Sequence, residues 1–229
     1  MRKFLFVCSR LWRFNNLYFL KPNDAINDTL TASLLIDFDW SGEIIEIGSG
    51  DGVFNYVLHG GFFPLKYDRY SQVDLNKNDI YDTHLKEKIE PQVVLGSPNI
   101  MVSIDKKKSH IQKVSEIGFS KRTIQCEYEN LPFLENSVNK IFYYVPHDVI
   151  YYEESLKNAF KVLKPGGRLI LLTYDACFKP YFICYRLSNL LKGNLSKYFK
   201  DLDNGRYLEL SRISKSRYEW KDFFNQNGM

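Results

Sequence analysis

Glu43-Ile44-Ile45-Glu46-Ile47-Gly48-Ser49-Gly50-Asp51-Gly52 is the stretch that decides the fold of this 229-residue chain. Glu43 to Ile47 is a short β-prone run, and glycines at alternate positions follow it without a break. A strand that feeds a glycine-rich turn and then a helix makes a cradle for a polar ligand. Glycine takes positive φ and has no Cβ to hold the ligand away. The spacing discriminates between ligands. The dinucleotide fingerprint G-x-G-x-x-G needs glycine where this chain has Val53, and the Gly-Lys-Ser/Thr of a P-loop is absent. Taken alone, the loop also fits a merely structural turn.

Downstream, Phe54, Val57 and Leu58 sit at helical spacing until Gly60-Gly61 stops them. Ile100 to Ile104 reads as a strand ending on Asp105, followed by a helix through Ile111, Val114 and Ile117 to Gly118. Thr123 to Cys126 and Lys140 to Val145 are further strands. Leu156, Ala159, Phe160 and Leu163 mark one helix face, which Lys164-Pro165-Gly166-Gly167 ends before a buried-looking strand from Arg168 to Tyr174. Strand alternating with helix implies an α/β fold, a mostly parallel doubly wound sheet covered on both faces. The whole chain, 1–229, reads as a single domain.

Three segments depart from that rhythm. Residues 1–40 form an N-terminal helical segment, in which Asn27-Asp28-Thr29 is expected to cap a helix through Leu30, Ala32, Leu34 and Leu35. Residues 62–99, rich in Asp, Asn, Lys and Tyr, are read as an insertion or lid. Asp74 to Asp79 resembles the start of a calcium loop but lacks its glycine and its closing glutamate, so no metal site is expected. Residues 175–217 interleave aromatics with bases, which fits either an anionic or lipid-linked acceptor site or a helix with an apolar inner face and a solvated basic face.

Composition narrows the function classes. A net charge of +4 is too mild for a dedicated nucleic-acid binder. From Ala176 onward, however, ten Lys and Arg face five Asp and Glu, so the positive excess lies on the C-terminal side. The four cysteines show no CxxC spacing and no histidine clustering, which fits a reducing cytoplasm and no zinc. The apolar start Phe4 to Cys8 is cut short by Ser9, Arg10 and Arg13, too soon for export or spanning. The expectation is a soluble or peripheral protein, and the 16% aromatic content fits a greasy substrate channel or membrane contact.

An acid ending the second strand suits a ribose, because one carboxylate accepts from both hydroxyls. Asp68 lies nearer the usual spacing from the loop, but Pro64 interrupts its strand; Asp105 ends a clean strand and is preferred.

Gly48 to Gly52, Asp105, Glu127 to Phe133 and Leu163-Lys164-Pro165-Gly166-Gly167-Arg168-Leu169 together resemble the class I S-adenosylmethionine-dependent methyltransferases, most nearly the methyltransferase type 11 group. Leu131-Pro132-Phe133-Leu134-Glu135-Asn136-Ser137-Val138-Asn139 is similar to that group's Leu-Pro-Phe-x-Asp/Glu-x-Ser-Phe-Asp run, and the likeness spans roughly residues 43–174. It implies a Rossmann-like fold with S-adenosylmethionine as cofactor. By the resemblance, Glu46, Gly48 and Gly50 line the methionine moiety and Asp105 the ribose, with Ser49 of the loop also cofactor-binding. Glu127 faces the adenine amino group, and the Tyr128 amide reaches an adenine nitrogen. Cys126 in place of a small residue, and Asn139 in place of aspartate, depart from the pattern without removing a ligand group.

His147 is the base candidate for the acceptor, with Asp148 second, since both follow the fourth strand; a surface loop is the bland reading. The acceptor expected is a small molecule, sugar or lipid-linked group. A glycan type is suggested by likeness to methyltransferases of bacterial surface-polysaccharide gene sets. The alternatives are a lipid or quinone acceptor, or a non-catalytic cofactor-binding partner protein. Tyr218 to Phe224 reads as the helix before the last two strands of such a fold, so the chain reads as a fragment or as a sheet shortened to five strands, the fragment being preferred.

Overall fold

The computed structural model describes residues 2–18, 22–63, 99–144, 152–176, 183–201 and 206–228. Its strands are β1 (Glu43–Ile47), β2 (Asn99–Asp105), β3 (Arg122–Gln125), β4 (Val138–Tyr144) and β5 (Leu163–Leu172). They form one five-stranded sheet in the order β3-β2-β1-β4-β5, every pairing parallel. The expected doubly wound sheet is therefore present, with its order reversing beside β1. That reversal opens a crevice at the C-terminal ends of the strands, where ligands of such sheets bind. The described residues form no strand after β5.

Strand alternation divides the core into two layers. Ile44, Ile100 and Phe142 point to a cluster shared with Phe14, Leu17, Ala25, Ala32 and Val57 from α1 (Arg2–Leu17), α2 (Pro22–Leu34) and α3 (Val53–Leu58). Ile45, Ile47, Val102, Ile104, Ile141 and Tyr143 point the other way, against Leu156 and Ala159 of α5 (Tyr152–Val162) and Phe223 of α9 (Arg217–Gln226). α4 (Lys108–Ile117) buries Val114 and Ile117 and ends at Gly118. The remaining helices are α6 (Ile183–Leu190), α7 (Gly193–Asp201) and α8 (Arg206–Ile213).

Two boundaries differ from the sequence reading. α2 begins at Pro22, so Asn27 to Thr29 lie inside the helix and do not cap it. Proline has no N–H to lose at a first turn and starts a helix better than an internal Asn-Asp-Thr. Leu30 and Leu34 of this helix face solvent, at 58% and 79% exposure, while Ala32 is buried. Leu163 opens β5 instead of closing α5: it pairs with Val138, and the register then jumps so that Lys140 pairs with Arg168. The Lys-Pro-Gly-Gly turn is thus a bulge within the strand. α1 also turns two of its bases toward α3, with Arg10 Nε donating to Leu58 O at 2.8 Å and Arg13 to Gly61 O at 2.9 Å. Those bonds satisfy carbonyls at the end of α3. No helix among the described residues is long and apolar enough to cross a membrane.

The proposed insertion (62–99) falls outside the described residues from 64 to 98, and Asp68 and Asp74 to Asp79 with it. His147 and Asp148 lie outside them too, as does part of the 175–217 segment.

Candidate functional site

The glycine loop sits at the end of β1, anchored to β2. Gly48 N and Ser49 N both donate to Ile104 O, at 2.9 and 3.0 Å, and Gly52 N turns back to Ser49 O at 3.0 Å. Gly52 has φ 76°, and a Cβ there would lie 3.0 Å from Val114 Cγ2, so both backbone and packing require glycine. Gly50 N donates to Asp105 Oδ2 at 2.9 Å. These amides therefore have partners within the protein and do not form a bare anion nest. Asp51, 7% exposed and within 3.4 Å of Val53 N, places a carboxylate at the start of α3, where a pyrophosphate would need positive potential. The site suits a cationic or neutral ligand better than a dinucleotide.

Two buried carboxylates flank the loop. Glu46 is 4% exposed on β1. Its Oε2 accepts from Ser103 Oγ at 2.7 Å, and its Oε1 accepts from Asn55 Nδ2. Burial pushes its pKa up to about 7, assisted by the charge of Asp105 and opposed by the Ser103 and Asn55 bonds. Glu46 is thus an acid poised to ionise when a cation arrives.

Asp105, 2% exposed, ends β2 as its sequence position predicts. Its carboxylate is fully engaged. Oδ2 faces Gly50 N and Tyr128 Oη, the latter at 3.1 Å. Oδ1 faces Lys107 N at 2.9 Å and His110 Nδ1 at 3.1 Å. A carboxylate offers about four lone-pair sites. A diol can therefore bind Asp105 only by replacing groups already there, of which Tyr128 and His110 are side chains and the other two are backbone amides.

β3 brings the adjoining residues alongside. Gln125 pairs with Asp105, and Cys126 N donates to Asp105 O at 3.2 Å. Glu127 follows, exposed, at the same end of the sheet. Tyr128 is 2% exposed, and burial together with the neighbouring charge of Asp105 raises its hydroxyl pKa. Burial also pushes the Cys126 thiol up to about 11, so it stays protonated and is no nucleophile.

Glu46, Gly48, Ser49, Gly50, Asp105, Glu127 and Tyr128 are all gathered at the C-terminal ends of β1, β2 and β3. Sequence reasoning missed Asn55, Ser103, His110 and the Tyr128 side chain. His110 was findable, since it lies in the first turn of a helix that begins three residues after Asp105. No group of three metal-ligating side chains occurs among the described residues.

Residues 45–171 match the family described as "Methyltransferase domain". The chain is similar to the 2-methoxy-6-polyprenyl-1,4-benzoquinol methylase, mitochondrial, of Xenopus laevis. The two are 29% identical over 142 residues, 58% of this chain and 45% of that protein. It is also similar to the ubiquinone/menaquinone biosynthesis C-methyltransferase UbiE of Nitrosospira multiformis, 31% identical over 108 residues, 45% of this chain and 44% of that one. The chain thus spans less than half the length of these curated relatives. Among solved structures it resembles an SAM-dependent methyltransferase of Thermotoga maritima at 17% identity and TM-score 0.48, over 99% of this chain and 74% of that one.

Proposed function

The chain belongs to the Methyltransferase domain family of S-adenosylmethionine-dependent proteins, and from that premise we propose that it transfers a methyl group from S-adenosylmethionine to a lipid-like small molecule of the quinol kind. The observation that carries the cofactor half is the pair of buried carboxylates, Glu46 and Asp105, on either side of the glycine loop. Glu46 receives the cationic methionine end, and the incoming charge completes its ionisation. The ribose hydroxyls bind Asp105 by replacing the Tyr128 hydroxyl and His110, while the amides of Gly50 and Lys107 keep the carboxylate in place. Glu127, exposed after β3, is the proposed partner of the adenine amino group, and the Tyr128 amide that of a ring nitrogen.

The sulfonium supplies the reactive carbon and its leaving group, so the protein's task is alignment and exclusion of water. A carbon acceptor also needs a proton removed, for which His147 is the proposed base and Asp148 the second. Of the acceptor classes read from the sequence, the quinol type is preferred over a glycan because two curated relatives carry that activity in their names.

The test is mass spectrometry of the protein incubated with S-adenosylmethionine and demethylated polyprenyl quinols, with glycans and simple phenols in parallel. A quinol product heavier by one CH₂, with turnover falling roughly 10²–10⁴-fold in His147→Ala, is expected. Methylation confined to glycans would refute the acceptor, and cofactor binding without any product would make this a partner subunit.

A further inference from the structure

The α6–α7 hairpin carries a pattern that neither the cofactor site nor the acceptor chemistry uses. Between Asp175 and Asp201 the sequence holds five bases, Lys179, Arg186, Lys192, Lys197 and Lys200, and no acid. Leu191-Lys192 joins the two helices, and Ser196 Oγ donates to Ser188 O at 2.8 Å across the turn. A helix pair ordinarily turns its leucines inward. Here Ser188 is buried at 1% exposure, while Leu190 is 82% exposed, Leu195 60% and Tyr198 60%. Arg186, Lys192 and Lys197 are exposed beside them. The tip is therefore apolar and collared by bases.

Large apolar side chains clustered in solvent mark an interaction surface. A collar of bases without acids selects an anionic partner, and leucines at the tip select one with an apolar interior. Single-stranded RNA meets the first condition but wants flat aromatic platforms. The Tyr198 ring stands at 81° to Phe199, and the rest of the tip is aliphatic. We propose that the α6–α7 hairpin docks the protein on an anionic lipid bilayer, its leucines entering the acyl boundary and its bases meeting the phosphates. β5 is parallel to the other strands, so the chain leaves it at the sheet end that carries the glycine loop. Docked on a bilayer, the protein meets a lipid-held acceptor. That use rests on the quinol-type acceptor proposed above, whereas the docking stands apart from it.

The test is co-sedimentation of the full chain with vesicles of phosphatidylcholine alone and of mixed phosphatidylcholine and phosphatidylglycerol, with calorimetric titration of S-adenosylhomocysteine in parallel. Binding to the mixed vesicles only, weakened by salt, is expected. Each base removed near the surface should cost roughly five-fold, so Lys192→Gln with Lys197→Gln together should cost about 25-fold. Leu190→Ser with Leu195→Ser should abolish binding. Leu5→Ser, on the exposed face of α1, should leave it unchanged. Hairpin variants should keep their S-adenosylhomocysteine affinity.

Equal binding to both vesicle types, or loss of binding only in Leu5→Ser, overturns the assignment. So does self-association abolished by Leu190→Ser in the absence of vesicle binding, or RNA binding without vesicle binding. Vesicle binding without S-adenosylhomocysteine binding would instead sink the cofactor reading and leave the docking surface intact.

Discussion

Replacing Glu46 with glutamine should stabilise the protein at alkaline pH while weakening its hold on the cofactor. Burial moves this carboxyl from 4.5 up to about 7. The folded chain keeps a proton there that the unfolded chain has already released. Stability from this group is therefore fully present below 4.5 and is lost as pH rises through about 7. At about 1.36 kcal/mol per unit, the loss is about 3 kcal/mol once Glu46 is ionised. For a domain of this size that is roughly 6–12 °C in Tm. Glutamine preserves the shape: its Oε1 accepts from Asn55 Nδ2, its Nε2 donates to Ser103 Oγ, and it has no charge to desolvate.

His59 has the opposite slope. Burial pushes its pKa from 6.5 down to about 4, so its contribution is present above 6.5 and lost as pH falls. The two slopes partly cancel in the wild-type profile. The difference between wild type and Glu46→Gln isolates the carboxylate. Differential scanning calorimetry should find the two proteins nearly equal near about pH 5, with the variant higher by roughly 6–12 °C near about pH 8. S-adenosylmethionine affinity should rise with pH in the wild type and lie flat in the variant. A Tm difference that does not change with pH would refute the reasoning.

Tyr128→Phe removes a side-chain donor that competes for Asp105. S-adenosylhomocysteine should bind about 5–10-fold tighter in calorimetry, since the displaced bond is worth about 1–1.5 kcal/mol, and the ligand-free Tm should fall by a few degrees. Weaker binding would mean that the hydroxyl holds the ligand. Gly52→Ala should unfold more readily than Gly50→Ala. Both have positive φ, but only the Gly52 Cβ meets Val114, at 3.0 Å, which adds about 1–3 kcal/mol of overpacking; equal urea midpoints would contradict this. Phe142→Ala empties a position with 0% exposure in the layer under α1 and α3, and should cost about 3–5 kcal/mol by urea unfolding. A cost under about 1 kcal/mol would show that this layer is not packed as described.

What the sequence discloses follows the range of the forces involved. Glu43 to Gly52 and Ile100 to Asp105 are legible because period, turn chemistry and the strand-end acid are all local. The α2 start is misread because Asn27-Asp28-Thr29 mimics a cap while Pro22 sets the first turn. The saturation of Asp105 is invisible from one segment, since its partners come from Gly50 in the loop, Lys107 and His110 at the start of α4, and Tyr128 after β3. Parallel pairing of β2 with β3 is what brings Tyr128 within reach. α1 sets Arg10 and Arg13 against the end of α3 beside its buried Phe14 and Leu17, while Phe4, Leu5 and Trp12 stay outward at 69%, 59% and 54% exposure, which a simple apolar-in pattern does not anticipate. It follows from carbonyls that α3 leaves unpaired, which no helical period reports.

Calorimetric titration of the full chain with S-adenosylhomocysteine and with NAD tests the central claim most directly. Saturable binding of S-adenosylhomocysteine and none of NAD is predicted. Affinity should fall about 100-fold or more in Asp105→Ala, the loss of two charge-assisted bonds, with the fold verified by circular dichroism. Preferential binding of NAD, or undiminished S-adenosylhomocysteine affinity in a folded Asp105→Ala protein, would contradict it.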